Sequence, residues 1–189
     1  MTLEPDHRDR LLALARRSIE RGLDTGRAAA APELSSLPAP LAEPGASFVT
    51  LKTRGMLRGC RGALEASRAL AHDVWLNAWA SAFDDPRFPP LERSELGLIE
   101  LEISILSALE AIEAGSEAGL LSQLEPHRHG LVLALGRHRA TFLPQVWESL
   151  AEPDRFLGEL KAKAGLPRDF WSAGMRAWRY TVESLHAGH

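Results

Sequence analysis

The segment MLRGCRG, residues 56–62, contains the side chains of this sequence that are best suited to chemistry. It holds Cys60, the single cysteine of the chain, two residues after Arg58. A cysteine reacts through its thiolate, and a neighbouring guanidinium favours that ionised form. The segment therefore offers a candidate nucleophile or redox thiol.

Alternation along a strand predicts that Arg58, Cys60 and Gly62 share one face. A glycine on that face would leave room for a ligand or another backbone to approach closely. The structural alternative is that Cys60 packs as a small buried hydrophobe and that Gly59 and Gly62 mark a bulge. Both interpretations stay open from the sequence.

Histidines are the nearest candidates for a base that could activate the cysteine. His127 and His129 would lie on one side of an extended HRH segment, and His138 follows a glycine turn. Two imidazoles without a third ligand do not make a zinc site, so we predict no metal. Histidines beside such turns are more typical of exposed loops.

The stretch DDPRFPP, residues 84–90, predicts a stiff loop, since its three prolines cannot continue a helix. Arg87 could pair with Asp84 or Asp85. We favour a loop that positions the preceding helix, although a rigid loop also makes a pocket wall. Further along, Glu100 and Glu102 could form an acid/base pair, but a solvated sheet face is the favoured interpretation.

Length and composition indicate one ordinary globular domain over residues 1–189, with 45% hydrophobic and 25% charged residues. A net charge of -3 argues against a dedicated nucleic-acid binder. Contact with RNA through Arg54, Arg58, Arg61 and Arg68 ranks last. A single cysteine, a charged start and no apolar run of about 20 residues favour a cytoplasmic protein without a membrane span.

Periodicity and breakers predict elements that would position these residues. In the first half they are a helix over 5–23, a covering loop over 24–46, a hairpin over 48–60 and a helix over 67–83 capped by Ser67. A short helix around 28–31 is the weaker alternative within the loop. In the second half they are a strand over 98–107, helices over 116–124, 144–150 and 153–164, a hairpin over 131–143 and a closing strand over 176–185. This mixture predicts an α+β fold with a largely antiparallel sheet packed with helices.

Five segments of the chain match a known family in order: FVTLKTRGMLRGCRG, AFDDPRFPPL, LIELEISILS, GLVLALGRHRATFLPQVWE and AGLPRDFW…WRYTVE. On these segments the chain resembles the AMMECR domain family, also called AmmeMemoRadiSam system protein A. The resemblance places the family core at residues 48–186. It implies an α+β fold with two interlocked lobes and a hallmark segment in the β-sheet region.

The family hallmark is Leu-Arg-Gly-Cys-Ile-Gly, and this sequence departs from it at one position, where isoleucine is replaced by Arg61. A charge there implies either an exposed side chain or an acidic partner. The resemblance also implies an association with a Memo-like protein and a radical-SAM protein. One cysteine cannot supply the ligands of an iron–sulfur cluster, so no cofactor is predicted.

The sequence thus predicts an accessory or binding protein of undetermined biochemical role, with an unknown small ligand or partner. The predicted site consists of Arg58, Gly59, Cys60, Gly62, Asp85 and Arg87. The alternative is an enzyme that uses Cys60 as a nucleophile or redox thiol, and the sequence leaves enzymatic activity undecided.

Overall fold

The computed structural model describes residues 3–187. Its chain forms two compact units: unit 1 contains the residues up to 106 and those from 183, and unit 2 contains residues 107–182. Each unit has its own hydrophobic cluster. Antiparallel pairing with packed helices confirms the predicted α+β class. Within the described residues, no helix is long and apolar enough to cross a membrane.

Unit 1 is built on a sheet with the strand order β2-β1-β4-β9, and β3 pairs with β1. These strands are β1 (Pro44–Thr53), β2 (Met56–Gly62), β3 (Arg68–Ala69), β4 (Ile99–Leu106) and β9 (Val182–His186), and the helices are α1 (Pro5–Thr25), α2 (Ala39–Ala42) and α3 (Leu70–Phe83). Helices α1 and α3 pack on the apolar face of the sheet, which includes Val49, Leu51 and Ile103.

The predicted N-terminal helix over 5–23 is observed as α1, which ends two residues later at Thr25. Gly26 follows with φ 67°, and its N–H bonds to the carbonyl of Gly22. The predicted covering loop is largely irregular, but it contains a 3-10 turn at Leu34–Ser36 and the short α2. Strand β1 begins at Pro44, within the last residues of the predicted loop. Residues 28–31 form no helix.

Two details of the sequence prediction are wrong, namely the N-cap of α3 and the closing strand. Ser67 does not cap α3, because β3 extends the chain at residues 68–69 and Ala69 becomes the N-cap without a side-chain bond. The predicted closing strand over 176–185 is two strands separated by Thr181. One belongs to the sheet of unit 2, and the other is β9 in the sheet of unit 1.

Unit 2 contains a second sheet with the order β5-β8-β6-β7. Its elements are β5 (Glu110–Ile112), α4 (Glu117–Leu121), β6 (Gly130–Leu135), β7 (His138–Phe142), α5 (Pro153–Lys163) and β8 (Arg176–Tyr180). The predicted hairpin over 131–143 is confirmed as β6 and β7. The predicted helix over 144–150 is a 3-10 turn at Pro144–Glu148. Trp147 stacks on Phe156 with ring centroids 3.7 Å apart in the core.

Candidate functional site

The hallmark segment forms β2, the second strand of a hairpin, as predicted. Its two-residue turn consists of Arg54 and Gly55, with φ values of 52° and 75°. Positive φ at both positions is what a type I′ turn needs to match the twist of the strands. Because β2 ends the strand order of its sheet, its outer edge is available to other parts of unit 1.

A β-bulge in this hairpin changes which side chains share a face. Thr50 pairs with Cys60 and Lys52 pairs with Leu57, so one strand contains an extra residue between the two pairs. The extra residue falls at Arg58, and Leu57 therefore shares a face with Cys60. Simple alternation does not hold across a bulge, so the shared face predicted for Arg58 and Cys60 stays a prediction.

Arg58 is held by the segment that follows α3. Its Nε and NH2 atoms donate to the two carboxylate oxygens of Glu95, at 2.7 and 2.9 Å, and its NH1 donates to the carbonyl of Pro89 at 3.0 Å. Only 13% of the side chain is exposed. The hydrogen bonds between the two groups raise the pKa of Arg58 and lower that of Glu95. Glu95 neutralises this guanidinium, and the ion pair ties β2 to the segment that follows α3.

Asp85 closes the outer edge of β2 at the cysteine. Its carboxylate accepts from the backbone N–H of Cys60 at 2.9 Å and from Nε and NH2 of Arg87 at 3.0 and 2.7 Å. The Arg87 guanidinium holds the pKa of this buried carboxyl far below its usual range. Arg87 NH2 also lies 3.4 Å from the Cys60 carbonyl oxygen. The structure thus brings Cys60, Asp85 and Arg87 together.

Arg61, which replaces the isoleucine of the family hallmark, meets an acidic partner. Its NH2 lies 3.2 Å from the Asp84 carboxylate, and its Nε donates to the Asp84 carbonyl at 3.0 Å. Its side chain is 40% exposed. Arg87 therefore pairs with Asp85 and not with Asp84, which settles the two pairings that the sequence left open.

The two hallmark glycines are explained by packing inside unit 1. A Cβ at Gly59 would lie 2.0 Å from the carbonyl oxygen of Ser81 in α3. A Cβ at Gly62 would lie 2.3 Å from the ring of Phe48. The expectation of a close approach at Gly62 is confirmed for another backbone, since the Ser47 carbonyl oxygen would lie 2.5 Å from an added Cβ, whereas the Phe48 ring takes the space predicted for a ligand.

The thiol of Cys60 belongs to a row of side chains across three strands. Thr50 Oγ1 donates to Cys60 Sγ at 3.4 Å, and Thr50 is also paired with Glu102 of β4. Lys52 Nζ binds Glu102 at 2.9 Å. Cys60 as a whole residue is half-buried. The sequence prediction missed Thr50 and Lys52, although alternation along FVTLKT places both on one face.

The two glutamates of β4 differ in their environments. Glu102 is buried, with 9% exposure, whereas Glu100 is exposed. The expectation of a solvated sheet face is therefore wrong for Glu102, which Lys52 neutralises from the neighbouring strand. A strand pattern shows which residues share a face, but it does not show how deeply each is covered.

The predicted histidines are held by the backbone of unit 2. His129 is buried, which lowers its pKa, and its Nδ1 accepts from the N–H of Glu125. His127 lies in a turn with φ 65°, so the extended HRH arrangement is wrong. His138 Nδ1 donates to the carbonyl of Ala164. Among the described residues, no group of three or more metal-ligating side chains is assembled.

A family model for AMMECR1 matches residues 12–185. The chain belongs to the AMMECR1 family. It is 33% identical to a protein of Methanothermobacter thermautotrophicus over 97% of this chain and 96% of the relative. A protein of Thermofilum pendens is also 33% identical, over 92% of this chain and 86% of that one.

A solved structure is similar to this chain over most of its length. The crystal structure of uncharacterized protein PH0010 from Pyrococcus horikoshii matches with a TM-score of 0.88 and 33% identity, covering 96% of this chain and 92% of that one. These comparisons establish the family and the fold. No specific biochemical function is established for these relatives, which fits the expected uncharacterised AMMECR1-family protein.

Proposed function

We propose that this chain is a cytoplasmic accessory protein that binds a protein partner through the outer part of β2. The binding surface consists of Leu57 and Cys60, which share one face of β2, and is called here the hairpin surface. The partners that the family resemblance suggests are the Memo-like protein and the radical-SAM protein of the same system.

The observation that carries this proposal is apolar exposure on a fixed strand. Leu57 is 43% exposed and shares its face with Cys60, while Met56, on the opposite face beside the turn, is 69% exposed. Exposed apolar patches mark protein interaction sites, and we assign Leu57 as the anchor of such a patch. Here the strand is held in place, so little conformational entropy is lost on binding.

Three arginine–carboxylate pairs provide that support. Arg58–Glu95 and Arg61–Asp84 join β2 to the segment 84–95. The third pair, Arg87–Asp85, stiffens that segment itself. Because these charges neutralise one another, the surface favours an apolar partner over an anionic ligand. Enzymatic use of Cys60 is the weaker candidate, since a nucleophile needs an oriented base and the sulfur contact seen here is the hydroxyl of Thr50.

Surface plasmon resonance with the two purified candidate partners tests the proposal. We expect Leu57→Asp to weaken binding at least about tenfold, because an interface anchor typically contributes more than the free energy of a tenfold change. Leu34→Asp is the matched control, since Leu34 is also 43% exposed but lies outside the hairpin surface. Equal losses for both variants, or no binding of either partner to the wild-type chain, would overturn the proposal.

A further inference from the structure

Unit 1 contains a cavity of about 640 Å³ that the hairpin surface does not explain. It lies between α1 and the ends of β4 and β9, and Lys52 of β1 reaches its rim. The size falls within the range of about 300–1,000 Å³ that is typical of small-molecule sites. One wall is apolar, formed by Leu12, Ile19, Ile99 and Leu101.

The rim carries charges of both signs. Two cations, Arg16 and Lys52, are balanced by two carboxylates, Glu100 and Glu102. Lys52 and Glu102 bind each other at 2.9 Å. The four charged side chains of the cavity therefore sum to a net charge near zero. Such a lining complements a ligand that carries one positive and one negative group.

The remaining two charged groups, Arg16 and Glu100, have contacts of 3.4 Å with other residues of the range 3–187. Arg16 Nε lies 3.4 Å from Glu20, and its NH2 lies 3.4 Å from the carbonyl of Leu96. Glu100 Oε1 accepts from the backbone N–H of Gly55, also at 3.4 Å. Hydrogen bonds to charged groups are normally shorter than 3.0 Å, so a ligand can compete for both groups.

We propose that this cavity binds a short apolar zwitterion of the dipeptide class, with its carboxylate on Arg16 and its ammonium on Glu100. The apolar wall then contacts the side chains of the ligand. Each end contributes a charge-assisted hydrogen bond, and the wall contributes burial of apolar surface. This site differs from the hairpin surface, so the two proposals can fail independently.

L-leucyl-L-leucine is the probe, and its affinity for the full chain is measured by NMR titration at pH 7. N-acetyl-leucyl-leucine lacks the ammonium, and leucyl-leucine amide lacks the carboxylate. We expect each capped compound to bind about tenfold more weakly than the free dipeptide, because one charge-assisted contact is lost. Equal binding of all three compounds, or no titration at millimolar concentration, would overturn the proposal.

Two variants assign the charged contacts. Arg16→Gln is expected to abolish the preference for the dipeptide over its amide while the preference over the N-acetyl compound remains. Glu100→Gln is expected to produce the reverse pattern. Arg17→Gln is the matched control, because Arg17 is the next residue of α1 and does not line the cavity. If Arg17→Gln changes the preferences as Arg16→Gln does, the assignment is wrong.

Discussion

Gly59 of β2 lies so close to Ser81 of α3 that a Cβ at residue 59 would be 2.0 Å from the Ser81 carbonyl oxygen. The strand and the helix are in backbone contact there, without an intervening side chain. Ser81 Oγ also accepts from the N–H of Arg61 at 2.8 Å and lies 2.7 Å from the carbonyl of Val49. The hallmark glycine is therefore required by the fold, independently of any ligand.

Replacing Gly59 with alanine is expected to lower the free energy of unfolding by about 3 kcal/mol, because the clash involves backbone that cannot move aside. Urea unfolding followed by circular dichroism measures this change. Gly97→Ala is the matched control, since no atom lies within 4 Å of its added Cβ. We expect the control to change stability by less than about 0.5 kcal/mol. Similar midpoints for both variants would contradict the backbone contact.

The pair Arg58–Glu95 is expected to contribute to stability more than an exposed ion pair does. Its side chains are 13% and 27% exposed, whereas those of Arg10 and Asp6 in α1 are 51% and 72% exposed. A double-mutant cycle with Arg58→Gln and Glu95→Gln should give a coupling energy of about 1–2 kcal/mol. The same cycle on Arg10 and Asp6 should give about 0.3–0.5 kcal/mol. Equal coupling energies would show that burial adds nothing to this pair.

The hairpin could be predicted from the sequence because its signals are local. FVTLKT alternates, and Arg54-Gly55 permits a tight turn. A bulge near Gly59 was one alternative from the sequence, but its position at Arg58 could not be predicted, since one inserted residue leaves no periodic signal in a strand as short as β2. The same limit hid the break at Thr181, because alternation continues through it although β8 and β9 belong to different sheets.

The candidate site was predicted by residue but not by arrangement. Asp85 was expected in a stiff loop, and the prolines of that loop indeed exclude a helix. Its bond to the Cys60 N–H depends on how α3 and β2 pack, which Gly59 permits. Such long-range contacts follow from the whole fold, so residue types alone do not determine them. Arg87 makes its predicted pairing with Asp85 and also contacts the Cys60 carbonyl, whereas Arg58 binds Glu95.

Cys60 is expected to react with iodoacetamide in the folded chain, because the residue is only half-buried. Mass spectrometry at increasing urea concentration measures the rate of alkylation. We expect modification well below the unfolding midpoint, and Cys60→Ser should remove the signal entirely. A thiol that reacts only on unfolding would show that the hairpin surface is closed at this residue.

Asp85 and Asp73 are expected to change the stability of unit 1 in opposite directions as the pH falls. The Arg87 guanidinium lowers the pKa of Asp85 below its unfolded value of about 3.9, so its stabilisation is complete above that pH and is lost as the pH falls. Burial raises the pKa of Asp73, although its Oδ2 accepts from Ser47 N–H at 2.8 Å. Protonation of Asp73 therefore adds stability as the pH falls toward about 4.

Urea unfolding between pH 7 and pH 3 separates the two effects. Asp85→Asn should lower stability at pH 7 and flatten the loss below about pH 4, because the group that releases its stabilisation there is gone. Asp73→Asn should make the loss between pH 7 and about pH 4 steeper, because it removes the group that gains stability in that interval. If both variants give curves of unfolding free energy against pH that run parallel to the wild-type curve, neither carboxylate has the shifted pKa that these contacts require. Because the expected changes have opposite signs, a general weakening of the fold cannot produce both.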